Sequence, residues 1–251
     1  MDLHFAAALL LSGVIGVSLG LLGGGGSILA LPVLVYVAGI DAKEAVGMSL
    51  AIVGATSLTA SLMHHRKGQL DVKIAAIFGG AGILGAYFSS RLTHLVSSGI
   101  LLLLFALLML VVGALMLRRQ QFQEQAGGIN FPLVLAAGLS VGVLTGFLGV
   151  GGGFLVVPAL VLLAKLPMRL AIGTSLLVIA INCAAGFAGH WGQGNLHPLM
   201  TLAFTVLAVG GSFVGERFAY QASPTMLRKW FAVFVIMVGI FLVARNYHAL
   251  I

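Results

Sequence analysis

A chain of 251 residues that is 60% hydrophobic and only 8% charged, with a mean hydropathy of +1.15, falls far below the roughly 25% charge of an ordinary soluble domain. That balance excludes a soluble globular protein and predicts an all-α polytopic membrane protein with the lipid bilayer as its first partner. The net charge of +7 comes from 13 Lys and Arg scattered through short loops, a pattern of membrane orientation rather than of a nucleic-acid surface, so no nucleic-acid partner is expected.

In chain order, Met1-Asp2-Leu3-His4 lacks the basic start of a signal peptide, so the apolar stretch from Phe5 to Leu22 reads as retained structure. Hydrocarbon resumes from Ile28 to Ile40, and between the two lies Gly20-Leu21-Leu22-Gly23-Gly24-Gly25-Gly26-Ser27. Each interior glycine costs a helix about 1 kcal/mol, so this cluster predicts a break. A break in a bilayer frees backbone N–H and C=O groups that only protein or a polar cavity can satisfy. Three apolar segments follow at 45–65, 70–92 and 97–118, each near the roughly 20 residues a membrane crossing needs. The longest polar stretch, 119–130, predicts a cytoplasmic linker. A second broken pair, 131–148 and 153–164, precedes segments at 171–190, 198–217 and 228–245. The pieces at 27–40 and 153–164 are short for a full crossing and fit either short spans or re-entrant half-helices.

The second half follows the first at a constant offset of 126 residues, without a gap. Gly20, Gly23, Gly25, Gly26 and Pro32 map to Gly146, Gly149, Gly151, Gly152 and Pro158; Ser49, Thr56 and His64 map to Ser175, Asn182 and His190. Residues 1–118 and 131–251 are therefore read as two transmembrane repeats, each a glycine-broken helical hairpin plus three transmembrane helices. If the chain reverses at the glycines, ten of the 13 basic residues collect on one side and three on the other; kinked continuous helices would split them six to seven. The positive-inside rule then favours inverted repeats in a bacterial cytoplasmic (inner) membrane, with both termini on the non-cytoplasmic side.

A glycine-rich turn leading into a helix offers unpaired N–H groups and the positive end of the helix dipole, a ready anion site. The candidate substrate-binding set is Gly23, Gly24, Gly25, Gly26 and Ser27 from the first turn, and Gly149, Gly151, Gly152 and Gly153 from the second. Ser49, Thr56, Thr174, Ser175 and Asn182 join them as side-chain donors on the helices that follow. Small residues also let membrane helices pack closely, and hydroxyls often bond their own helix, so each has a structural reading too. A mid-span amide such as Asn182 needs a partner outside its own turn. Histidines at helix ends, His64, His65 and His190, read as interfacial residues or as gating or proton-handling groups. Neither glycine run has the surroundings of a P-loop or a Rossmann unit, and no cofactor is expected. The runs Gly79-Gly80-Ala81-Gly82 and Gly211 to Gly215 are packing faces of the kind through which helices, or two copies of the chain in a homodimer, come together.

None of the six acids, Asp2, Asp41, Glu44, Asp71, Glu124 and Glu216, lies in the middle of an apolar segment. With the single Cys183 this leaves no multi-residue metal site, no catalytic set and no mid-span carboxylate relay. An uncoupled exporter is consistent with that, because a negative-inside potential by itself drives an anion outward at about 2.3 kcal/mol per charge per 100 mV.

With both Gly-x-x-Gly-x-Gly-Gly turns, the Pro32/Pro158 pair and Gly173-Thr174-Ser175, nearly the whole chain resembles the sulfite exporter TauE/SafE family of permeases. The resemblance implies a secondary transporter of a small anion of the sulfite, sulfonate or thiosulfate class, with the family's glycine turns falling on Gly20–Ser27 and Gly146–Phe154. It implies an exporter working by alternating access of the two repeats; an importer of thiosulfate or a related anion, or a non-transporting accessory subunit, are the alternatives. Met48 stands where the second repeat has Thr174, so the two half-sites are not chemically equivalent.

Overall fold

The computed structural model describes residues 3–90, 98–118, 131–148, 153–190 and 197–246. The predicted linker at 119–130 and three of the predicted site glycines, Gly149, Gly151 and Gly152, lie outside the described residues.

Every described element is helical: α1 (Leu3–Leu22), α2 (Ser27–Pro32), α3 (Ala42–Arg66), α4 (Val72–Ser90), α5 (Ser98–Arg118), α6 (Phe131–Leu148), α7 (Gly153–Leu162), α8 (Met168–His190), α9 (Pro198–Gln221) and α10 (Pro224–Asn246). The predicted segments match these closely; α10 begins earlier than expected because Pro224 opens it and Ser223 Oγ accepts from Met226 N–H at 3.2 Å. Four helices among the described residues are long and apolar enough to cross a membrane by length and composition: Glu44–Arg66, Met168–Ala188, Pro198–Gln221 and Pro224–Ala244. Their burial is inside out relative to a soluble protein. Along α9 the buried face is Phe204, Ala208, Ser212, Gly215, Glu216 and Ala219, whereas Leu199, Val206 and Phe213 face outward. A lipid solvent accounts for that arrangement, because hydrocarbon accepts the apolar face and polar groups must turn inward. The protein is a multi-pass membrane protein.

Gly23, at φ 72°, ends α1, and a single 3₁₀ turn over Gly24–Gly26 leads into α2. The chain doubles back here, since a Cβ on Gly26 would meet the Ile15 carbonyl at 2.5 Å and Leu19 N at 2.7 Å. The predicted break is thus a reversal. After Pro32, which lacks an N–H, the helix widens to a π turn over Val33–Val37, closed by Ala38 N–H on the Val33 carbonyl at 3.0 Å.

Helices pair across the two repeats. α1 lies along α9 in parallel: Ser12 Oγ donates to the Phe204 carbonyl at 2.7 Å, Gly16 packs on the Ala208 backbone, and Gly20 packs on Ser212 and Glu216. The counterpart pair, α4 with α6, is also parallel, through Gly138 on Phe78, Gly142 on Gly82 and Gly85 on Leu139 and Val143. α3 and α8 run antiparallel, with Gly186 against Leu50, Gly54 against Cys183 and Gly173 against His64. α5 and α10 are antiparallel as well, with Gly113 against Ile236 and Gly239 against Met109. α3 also packs on α9, and α4 on α8.

Because Gly16 has no room for a side chain while a Cβ on Gly80 would meet nothing within 4 Å, the two positions separate packing from helix propensity. Gly16→Leu is expected to lower the stability of the purified protein by about 1–3 kcal/mol through overpacking. Gly80→Ala is expected to leave it unchanged or raise it by up to about 1 kcal/mol. Thermal melts in detergent followed by tryptophan fluorescence measure both.

Candidate functional site

The glycine turn at the end of α1 meets the start of α7. A Cβ on Gly24 would strike the Gly153 carbonyl, and one on Gly153 would strike Ser27 Oγ. Ser27 and Gly153 occupy corresponding positions of the two repeats, so equivalent points of the halves touch. α8 closes the other side: Gly23 is so near Ser175 that a Cβ there would lie 2.7 Å from Ser175 Oγ, and Ile179 lies against Gly153. Gly23, Gly24, Ser27, Gly153 and Ser175 are therefore brought together. Gly26 is buried against α1, and Gly25 faces Phe234 of α10, where a Cβ would make only ordinary contacts at 3.4 Å.

The hydroxyls of the candidate set are turned to backbone. Ser27 Oγ donates to the Gly24 carbonyl at 2.7 Å, Ser49 Oγ to Val46 at 2.9 Å, Thr56 Oγ1 to Ile52 at 2.7 Å and Ser175 Oγ to Ile172 at 2.7 Å. Each has one proton, and that proton is committed within its own helix or turn, leaving lone pairs toward the interior. Thr174 Oγ1 accepts from Asp71 N–H at 3.1 Å, which docks the turn between α3 and α4 onto the start of α8. Asn182 differs from all of these: its Oδ1 is buried without a hydrogen-bond partner. Since the two ends of an amide are interchangeable by rotation, Asn182 can present either an acceptor or two N–H donors to a ligand. At 100° per residue it lies on the same side of α8 as Ser175, seven positions earlier.

The opposite faces of α3 and α8 bound a cavity of about 380 Å³ lined by Leu50, Gly54, Leu58, Ile181, Cys183 and Phe187 among others. Its wall is almost wholly apolar and offers no donor to an anion.

Two buried polar residues lie outside the candidate set. His64 is 3% exposed, and both of its ring nitrogens lack a hydrogen-bond partner. Glu216 is 2% exposed and pairs with Lys67 Nζ at 3.0 Å from Oε1. Position near a helix end concealed Glu216; the signal that could have found it is the small-residue run Gly211 to Gly215, which carries α9 onto α1 and takes the next residue into the interface.

Comparison with known proteins agrees with this architecture. The family profile described as Sulfite exporter TauE/SafE matches residues 8–242. A "Probable membrane transporter protein" of Xylella fastidiosa (strain 9a5c) is 36% identical over 247 residues, covering 95% of each chain. The "Probable membrane transporter protein YdhB" of Bacillus subtilis is 26% identical over 222 residues, covering 86% of this chain and 91% of its own. A "Probable membrane transporter protein" of Methanocaldococcus jannaschii is 25% identical over 263 residues, covering 96% of this chain and 98% of its own. No solved structure matches.

The contrast between neighbouring glycines gives a direct test of the turn. Gly24→Ala forces the turns apart and is expected to lower the melting temperature, whereas Gly25→Ala is expected to stay within about 0.5 kcal/mol of wild type. Parallel melts in detergent distinguish them.

Proposed function

We propose that this chain, which belongs to the sulfite exporter TauE/SafE family of membrane transporters, carries a small sulfur-containing oxyanion such as sulfite or an organosulfonate outward across the bacterial cytoplasmic membrane. The observation that carries the reading is the meeting of Gly24 and Ser27 with Gly153, under Ser175 of α8. The first N–H groups of a helix mostly lack an intrahelical acceptor. Here Gly23 N–H donates to the Leu19 carbonyl at 2.9 Å and Ser27 N–H to the Gly24 carbonyl, so the donors in this reading are the N–H groups of Gly24, Gly25 and Gly26 between them. With the hydroxyl protons of Ser27, Ser49, Thr56 and Ser175 committed to carbonyls, backbone N–H groups and the Asn182 amide are the donors for an oxyanion. Gly149, Gly151 and Gly152 complete the set by correspondence with the first turn. Neutral donors suit a carrier, because they replace hydration without holding the anion in a permanent ion pair.

Inverted repeats are supported by helix direction. A pseudo-twofold lying in the membrane plane makes the counterparts α3 and α8 antiparallel, and likewise α5 and α10, as their registers run. The charge asymmetry supports a reading with the α3–α4 turn, carrying Arg66 and Lys67, on the cytoplasmic side and both termini on the other.

Alternating access is assigned to two mixed bodies rather than to the repeats themselves. α1 lies along α9, which also meets α3, and their counterparts α6, α4 and α8 form the matching body. In this reading the bodies move against one another along the extensive α3–α8 contact and at the glycine turn, so each body takes helices from both repeats.

Purified protein in liposomes tests the reading by a flux screen over sulfite, thiosulfate, sulfoacetate, taurine and sulfate. Protein-dependent flux of sulfite or a sulfonate is the expected result, and no flux for any of the five leaves an accessory subunit instead. Asn182→Ala is expected to lower that flux at least about tenfold, the worth of one hydrogen bond to a charged group. Thr56→Val is expected to leave flux within about twofold. For topology, alkaline phosphatase fused after Ile251 is expected to be active and a green fluorescent protein fusion at the same point dark; the reverse pattern would overturn the orientation.

A further inference from the structure

His64 stands where the two bodies meet. It is on the last turn of α3, it packs on Gly173 of α8, and two residues along α8 Ser175 lies against the glycine turn. A neutral imidazole has one donor and one acceptor, and neither ring nitrogen finds a partner at hydrogen-bond geometry, the Gln69 side chain being the nearest polar group that acts on it. Such an orphan calls for a reason, since the large majority of buried polar groups find partners.

The charges that act on the His64 ring come from Glu216 on α9 and Lys67 on the turn after α3, with the Gln69 side chain beside it. From α8 the contact is Gly173, which carries no charge, and the nearby Arg169 is engaged elsewhere, donating to the carbonyls of Tyr220 and Ala222 at 3.2 and 3.1 Å. Asp71, at the far end of the same turn, is spent as a cap, its Oδ1 accepting from Ile74 N–H at 3.0 Å. Glu216 is thus the acid available to a protonated His64, and the Lys67 side chain, 41% exposed, links that carboxylate to water.

We infer that His64, with Glu216 as its counter-charge, is a proton-binding site through which the anion and a proton cross together. This rests on the transport reading above and names its coupling ion. The proton adds to an imidazole nitrogen and leaves whole on the far side, with no other bond made or broken. A cation at His64 draws an oxyanion toward Ser175 and the glycine turn, and the anion in turn stabilises the cation, so each occupant favours the other. A dianion accompanied by one proton still carries one net negative charge outward, and a negative-inside potential continues to drive export.

The test uses wild-type protein in liposomes with the potential clamped at zero, a pH gradient of one unit, and radiolabelled sulfite or thiosulfate, whichever exchanges. Label is expected to accumulate on the alkaline side by up to about tenfold over protein-free vesicles, one pH unit being worth a factor of ten per proton. His64→Gln and Glu216→Gln are expected to abolish this accumulation while equilibrium exchange of the same anion continues. Wild-type exchange that ignores the gradient, or that accumulates label on the acidic side, overturns the proton site and leaves the transport reading standing. Accumulation surviving His64→Gln overturns the assignment to that residue, and loss of exchange in both variants overturns a proton site separate from the anion path. No exchange of either anion by the wild type overturns the transport reading, and the proton site with it.

Discussion

Direct backbone contact between helices is the constraint on which the rest of this structure depends. In hydrocarbon no hydrophobic force draws one helix to another, because lipid is as apolar as leucine. Association must come from close packing and a few interior polar contacts, and close packing needs positions without a side chain. Gly16 and Gly20 give α1 its seat on α9, Gly138 and Gly142 seat α6 on α4, and Gly24, in the turn after α1, closes on Gly153 at the start of α7. In the proposed reading the same absence of side chains serves a second end: a turn bare of Cβ atoms would let an anion approach its backbone, so packing and anion binding would select the same residues.

The interior polar groups divide by whether their own helix already satisfies them. Ser49, Thr56, Ser175 and Ser212 spend their protons on carbonyls one turn back, which lets a hydroxyl be buried in an apolar bundle at little cost. Asn182 and His64 cannot do this; their polar atoms reach past the backbone of their own turn and remain unpaired. Asn182 is also a position where the repeats diverge, Thr56 being its counterpart; His64 has a histidine, His190, as its counterpart, but Glu216 has Ser90. In the proposed twofold frame such departures would give one half chemistry that the other lacks.

The helices were legible because the signals for them are local. Runs of about 20 apolar residues, glycine clusters and the offset of 126 residues are each visible without knowing what touches what. The reversal at Gly23–Gly26 was legible indirectly, through the charge count that a reversal redistributes. What could not be read was partnership across the chain. Nothing in the neighbourhood of Gly16 says that it packs on Ala208, or in that of Thr174 that its hydroxyl receives Asp71 N–H. Glu216 shows the same gap from the other side. Next to Arg217 and near a helix end, it reads as an interfacial charge, and only the contact of α9 with α1 and Lys67 makes it a buried one.

Partnership across the chain also decides what can move. Rocking one repeat as a block against the other would part α1 from α9 and α4 from α6, the two interfaces where backbone meets backbone most extensively. Separating such interfaces exchanges close backbone packing for looser contact with lipid chains, at a net loss. The antiparallel pair α3 and α8 also packs extensively, but Gly54 and Gly186 meet side chains there, Cys183 and Leu50, and one face of the pair borders an apolar cavity. It is also where His64 meets Gly173 and where Asp71 docks on Thr174. In the rocking proposed above, the α3–α4 turn joins the two bodies covalently and would serve as their hinge. His64 lies beside that turn, so the proposed proton site would place its charge change where the two bodies join.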